Sequence, residues 1–210
     1  MSSAATQSPL HAFGLAAQAK AVDASCGVWA SEIPLLGYVS LRGNAGDATF
    51  IEAASRVLGA ALPTKPCAFI QSATAKILWL SPDEWMVVCS RSGLQGLIRD
   101  LNQALSGVSH QIVDNSGGYT QVYVQGRHAR DLLSHVTVYD VVALDHGRVV
   151  GTTFGKTSVY LHRQGDGYSL LLRRSFADYI WRYLVRAAQP YGLGIARLDP
   201  DAANAAGGGA

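Results

Sequence analysis

Charge is what this chain has least of. Only 15% of its 210 residues are Asp, Glu, Lys or Arg, against about 25% in an average soluble protein. A compact monomer of this mass exposes roughly 9,400 Å², and an average protein would spread about 52 charges over that area. This chain has 17 basic and 15 acidic residues. The shortfall points to a surface partly covered by partner subunits. A charge-poor monomer that uses Ser, Thr, Gln and Gly for solubility is the other reading. The net charge is +2 and no Lys/Arg run exceeds two residues, which excludes an electrostatic grip on DNA or RNA.

Cysteine is scarce as well. Cys26, Cys67 and Cys89 are scattered and form no Cys-x-x-Cys pair. That excludes a disulfide framework, offers no zinc spacing, and fits a reducing compartment. The first residues show no basic stretch followed by an unbroken apolar run, so no signal peptide is expected. The longest apolar runs are of strand length, far below the ~20 residues of a membrane-spanning helix. A cytoplasmic location is expected.

The usual catalytic signatures are missing too. There is no Gly-x-Ser-x-Gly and no P-loop lysine motif. Gly165-Asp166-Gly167 and Gly192-Leu193-Gly194 have the Gly-x-Gly form, but neither continues into a dinucleotide fingerprint. The first reads as a hairpin turn. His11, His110, His128, His135, His146 and His162 never fall in His-x-x-x-His or His-Glu-x-x-His spacing. Cys67 follows Pro66 in a connector, and Cys26 and Cys89 sit in apolar settings, so inert buried thiols are expected. Asp83-Glu84 belongs to a Pro-initiated turn. Asp114-Asn115-Ser116-Gly117-Gly118 could line a site or form an Asx-turn. Trp79, Trp85 and Trp181 could stack on a flat ligand, but hairpin and helix positions favour core or interface packing. Arg173-Arg174 stands before a helix whose N-terminal dipole disfavours cations, so a carboxylate partner, internal or on another chain, is a candidate contact. No catalytic, cofactor-binding or metal-binding residue is assigned.

An internal repeat organises what is present. Hydrophobic residues make up 49% of the chain, enough for a real core. A strand around Tyr38–Leu41 ends at Gly43. A helix follows, capped by Asp47 and closed by Gly59, with Phe50, Ala53, Ala54, Val57 and Leu58 on one face. Lys76–Leu80 and Trp85–Cys89 form a hairpin across Ser81-Pro82-Asp83-Glu84. A second helix carries Leu94, Leu97, Ile98, Leu101 and Leu105, with Gly107 at its end. The order then recurs: a strand from Tyr119 to Gly126, a short helix from Arg127 to His135, a hairpin of Thr157–His162 and Tyr168–Arg173, and a helix from Ser175 to Gln189. In that last helix Ser175 and Asp178 are placed as a capping-box pair, and Phe176, Tyr179, Ile180, Tyr183, Leu184 and Ala187 form the expected buried stripe. Gly43 and Gly126 lie 83 apart, and Trp79 and Tyr160 lie 81 apart.

Two tandem β-α-β-β-α units, at about 36–107 and 113–190, are therefore expected. They form one α+β body over 8–198, with antiparallel sheets and helices on one face of each. Residues 1–7 are expected to fray, and 199–210 form a low-complexity tail. Gly59–Pro66 and Ser106–Gly118 read as connectors.

Four segments together resemble the gamma subunit of heterotetrameric sarcosine oxidase. They are Leu41-Arg42-Gly43 with its helix, Trp79-Leu80-Ser81-Pro82-Asp83-Glu84-Trp85, Val113–Ser116 running on to Gly126, and Arg173-Arg174-Ser175-Phe176-Ala177-Asp178-Tyr179-Ile180-Trp181. The resemblance covers roughly Ser8 to Leu198. It implies the folate-binding fold of aminomethyltransferases. It also implies an enzyme that demethylates sarcosine to glycine, releasing formaldehyde or forming methylenetetrahydrofolate, with hydrogen peroxide as the other product. Partners would be large alpha and beta flavin subunits and a small zinc-binding delta subunit. FAD, FMN, NAD, tetrahydrofolate and zinc would belong to those chains, and none to this one. Aminomethyltransferases carry a Gly-Tyr-Glu stretch whose carboxylate meets the pterin. Here it reads Gly167-Tyr168-Ser169, and serine cannot supply a charged acceptor. The resemblance thus implies a structural gamma subunit without catalytic residues. A free-standing folate-binding one-carbon protein is the alternative, and a folate-fold protein of RNA modification is a weaker third reading.

Overall fold

The computed structural model describes residues 7–198. The first six residues and the tail from Asp199 lie outside the described residues. In chain order the elements are α1 (Leu15–Gln18), β1 (Val28–Ile33), β2 (Gly37–Gly43), α2 (Ala48–Leu58), β3 (Phe69–Gln71), β4 (Ala75–Ser81), β5 (Glu84–Cys89), α3 (Leu94–Ala104), β6 (His110–Asp114), β7 (Tyr119–Gln125), α4 (Ala129–Val136), β8 (Val149–Phe154), β9 (Thr157–Gln164), β10 (Gly167–Arg173), α5 (Ala177–Ala187) and β11 (Leu193–Ile195).

The strands form two sheets. One runs β3-β4-β5-β2-β6 and the other β11-β1-β7-β10-β9-β8. Every neighbouring pair is antiparallel except β1 and β11. Strand alternation splits each sheet's side chains between two faces. Val39, Leu41, Ile77, Trp85 and Val87 pack against Phe50, Ala54 and Leu58 of α2 and Leu94 and Leu101 of α3. Val122, Val124, Leu161, Leu170 and Leu172 pack against Leu132 and Leu133 of α4 and Ile180, Trp181 and Leu184 of α5. The remaining faces meet each other through Ile33, Tyr38, Leu78, Met86, Val88 and Leu171. The layers therefore run helix, sheet, sheet, helix. This is the expected α+β class, with helices on one face of each antiparallel sheet.

The repeat is visible strand by strand. The order β3-β4-β5-β2 in one sheet matches β8-β9-β10-β7 in the other. Each unit also has a strand that the sequence pattern did not reveal, β3 in the first and β8 in the second. Ser106–Gly118 is not only a connector, because it contains β6, which closes the first sheet against β2. In the second sheet that place beside β7 is held by β1, from the other end of the chain.

Local signals explain both ends of α2. The Asp47 carboxylate accepts the Thr49 and Phe50 N–H groups at 2.9 and 3.4 Å, and Gly59 takes a left-handed φ of 67° at the end of α2. Asp47→Ala leaves two amides of the first turn without that acceptor, and should lower stability by about 1 kcal/mol in urea unfolding. Gly43 and Gly126 close equivalent strands for different reasons. A Cβ on Gly43 would sit 2.3 Å from the Phe50 ring. Gly126 has φ of 110°, and a Cβ there would lie 2.6 Å from the Gly27 carbonyl.

The start of α5 corrects an expectation. Arg174–Phe176 form a 3-10 turn and the α-helix begins at Ala177, with no side-chain cap. The Ser175–Asp178 capping box does not form. Asp178 instead accepts the Arg182 Nε–H at 2.8 and 3.1 Å. With that start, the buried stripe is Ala177, Ile180, Trp181 and Leu184. Phe176 and Tyr179 turn outward, 45% and 38% exposed. Tyr179 stacks on Tyr183 and its hydroxyl accepts the Lys156 N–H at 3.1 Å.

Candidate interaction surface

The layer between the sheets is where a ligand could be enclosed, and its centre is packed with buried side chains. Ser40, Lys76, Gln121, His162, Gln164 and Ser169 are all buried there. The Gln121 amide donates to the Ser169 hydroxyl, and the Tyr123 hydroxyl donates to the Gln164 carbonyl at 3.0 Å. His162 lies opposite Ser169 on the neighbouring strand and packs on Phe69, with ring centroids 4.3 Å apart. Burial pushes the imidazole down to about 3. The Lys76 charge adds to this, and the Gln164 side chain opposes it. Burial also lowers the Lys76 ammonium to about 8. Burial, with Glu32 adding to it, raises the Tyr38 phenol far above its usual range. Sequence reasoning missed this cluster. The available signal was the strand period, which puts Tyr160 and His162 on one face of β9 and Val159 and Leu161 on the other.

Gly167-Tyr168-Ser169 lies in β10. Ser169 is 0% exposed and uncharged. The Tyr168 hydroxyl is 3.5 Å from the Arg130 Nε. A pterin could neither reach Ser169 nor find a carboxylate there, so these residues do not fit a folate.

The singled-out residues scatter. Arg173 lies over the Tyr119 ring at 5.2 Å. An Arg174 Nη donates to the Gln7 carbonyl at 2.9 Å. Both line an open cleft of about 670 Å³ with Ser8, His11 and Gly118. Among the described residues, neither forms an ion pair. The Asp114 carboxylate accepts the Ser116 N–H at 2.9 Å. The Ser116 hydroxyl accepts the Tyr38 N–H at 3.0 Å, and the Asn115 amide donates to Ser40 Oγ at 2.7 Å. This loop is thus an Asx-turn pinned to β2. Asp83 pairs with Arg42 at 2.8 Å on the surface. The Ser81 hydroxyl and Arg42 hold its carboxyl below the usual range. Trp85 and Trp181 are core residues of the two different sheets, and Trp79 is half-buried beside Trp85. Only Cys89 is a buried thiol, raised to about 11 by burial. Cys26 and Cys67 are half-buried, and Cys67 sits at φ of 62° because its segment turns to meet β8. Among the described residues, no three His, Cys, Asp or Glu side chains gather as metal ligands.

The exposed apolar residues were also missed. Val138 and Val142, on the loop from α4 to β8, are 83% and 66% exposed. Val138 borders a cleft of about 700 Å³ walled by Tyr119, Tyr139, Tyr160 and Leu171. The run Val136-Thr137-Val138-Tyr139-Asp140-Val141-Val142 is apolar without helical or strand period, a signal that this loop covers something or is covered. No helix among the described residues is long and apolar enough to cross a membrane.

This architecture is that of an aminomethyltransferase body. The crystal structure of glycine cleavage system aminomethyltransferase T from Bartonella henselae aligns at a TM-score of 0.67 and 14% identity, over 90% of this chain and 58% of that one. A chain of the heterotetrameric sarcosine oxidase from Corynebacterium sp. U-96, solved with pyrrole 2-carboxylate, aligns at a TM-score of 0.79 and 22% identity. That match covers 92% of this chain and 99% of the other. An aminomethyltransferase from Herpetosiphon aurantiacus is 34% identical over 120 residues, which span 55% of this chain and 33% of that protein. The match therefore spans about a third of that relative's length. The model of the sarcosine oxidase gamma subunit family matches residues 42–189. The chain belongs to that family.

Proposed function

We propose that this chain is the gamma subunit of a heterotetrameric sarcosine oxidase, in which it acts as a structural partner and carries no catalytic residue. The host enzyme would oxidise the N-methyl group of sarcosine to give glycine, formaldehyde or methylenetetrahydrofolate, and hydrogen peroxide. Its flavin, NAD, folate and zinc would be held by the alpha, beta and delta chains. The observation that carries this reading is the buried, uncharged Ser169 in the packed centre of the inter-sheet layer. The fold is like that of an aminomethyltransferase, and where the resemblance implies a pterin-binding carboxylate this chain has a buried serine, Ser169. The outward Val138 and Val142 and the low charge support a chain that is docked upon.

A tag on this chain tests the proposal in the native cell. Large chains with a flavin absorbance spectrum should co-purify, and the preparation should form hydrogen peroxide when sarcosine is added. Micromolar binding of tetrahydrofolate to the untethered chain by calorimetry, with no flavin chain retained, would overturn it in favour of the free-standing folate-binding protein.

A further inference from the structure

The two sheets match strand for strand until their last position. Beside β7 stands β1, and beside β1 stands β11, parallel to it. Beside β2 stands β6, the counterpart of β1, and among the described residues nothing pairs with its outer side. The sixth position, filled in one sheet, is open in the other.

The consequences appear in burial. All six residues of β1 are buried, whereas none of the five residues of β6 is. In the filled sheet, Leu193 and Ile195 of β11 pack on the helix-side core as half-buried residues. In the open sheet, Ile112, Val108 and Ile98 are likewise half-buried at the corresponding core but have no sixth strand beside them, and Val113 is 37% exposed on the other face. The edge has few of the usual guards, its one formal charge being Asp114 at the strand end. Its sequence, His110-Gln111-Ile112-Val113-Asp114, has no proline and no lysine, and its register against β2 is unbroken.

We propose that the open edge of β6 receives an extended strand from a partner subunit, running parallel to β6 with apolar residues at alternate positions toward α3. The filled sheet supplies both direction and chemistry, because β11 does this beside β1 with Leu193 and Ile195. The inference rests on the reading of this chain as a subunit of a larger oxidase. A second copy would pair across a two-fold axis and hence antiparallel, against the precedent of β11.

The Asn115 N–H bonds the Tyr38 carbonyl on β2. By strand alternation the N–H groups of Val113 and Gln111 face β2, and those of His110, Ile112 and Asp114 face outward. Hydrogen exchange on the purified complex reads those outward amides. Those of Ile112 and Asp114 should exchange about 100-fold more slowly than the exposed Ser109 amide. Ile112→Pro removes an outward donor while sparing the bonds to β2, and also gives up the Ile112 side chain on the α3-side core; Val113→Lys places a charge on the edge and leaves that core untouched. Each should cut the amount of partner chain retained on the tagged protein about tenfold or more. A retained, flavin-bearing complex in which these amides exchange as fast as Ser109 overturns the inference while leaving the function intact. So does full assembly of both variants, or recovery of two differently tagged copies of this chain joined at β6. If no partner chain is retained by the unaltered protein, the function itself has failed.

Discussion

Lowering the pH from 6.5 to 4.5 should reduce the unfolding free energy by about 2 kcal/mol through His162. The imidazole has its ordinary value of 6.5 in the unfolded chain and about 3 in the fold. Between those values the unfolded state holds the proton and the folded state does not. Stability is therefore complete above pH 6.5 and is lost as the pH falls toward 3. The ring is enclosed by Phe69 on β3, Lys76 on β4, Gln164 on its own strand and Ser169 on β10. None of these is an anion that could welcome the charge, and Lys76 opposes it. Lys76 itself titrates between about 8 and 10.5, so it leaves the acid window untouched and makes stability rise with pH only in the alkaline range. Surface carboxylates with lowered values, Asp23 and Asp83, weaken the fold only in stronger acid. Urea midpoints at pH 7, 5.5 and 4.5 measure the slope. His162→Gln should flatten it, and an equal slope in that variant would show that the sensitivity lies elsewhere.

That prediction depends on a residue whose type said nothing. His162 is one of six histidines, and its sequence neighbours do not mark it out. Its burial comes from the facing sheet, which no local pattern encodes. Much of the frame was nevertheless legible. Asp47, Gly59, the Pro82-Asp83 turn and the Gly165-Asp166 turn each set local backbone geometry by their own chemistry, and each stands where it was read. The 83-residue offset of Gly43 and Gly126 is shared by those two turns.

The offset of Trp79 and Tyr160 was misleading. Trp79 joins the helix-side core of its sheet, whereas Tyr160 faces the other sheet. A bulge between Trp79 and Ser81 inserts a residue into β4, and a single-residue slip exchanges the faces of a strand. The strands β1, β3, β6 and β8 were missed because they are short, lie at or near sheet edges, or are completed by distant parts of the chain. The repeat described each unit as if it closed on itself, whereas β1 crosses to complete the second sheet. No site residue was assigned from sequence, and the Asp114 loop and the Asp83 turn proved to be turns.

Two tryptophans that face each other across the β4–β5 ladder differ in burial, and their truncation should show it. Trp85→Ala should cost about 4 kcal/mol and lower the melting temperature by roughly 8–16 °C. Trp85 is 0% exposed. Its ring packs 5.7 Å from that of Phe50, and its Nε1–H donates to the Pro63 carbonyl at 2.6 Å. Truncation opens a cavity under α2 and leaves that carbonyl without its donor, so two penalties add. Trp85→Phe keeps most of the volume and loses only the hydrogen bond, so it should cost about 1–3 kcal/mol. Trp79 is half-buried at the rim of the same core, and solvent can fill the space it leaves. Trp79→Ala should therefore cost well under half as much as Trp85→Ala. Denaturant unfolding of the three variants orders them. Equal losses for the two alanine variants would mean that the rim at Trp79 is as closed as the centre, as it would be if a partner chain covered this end of the hairpin.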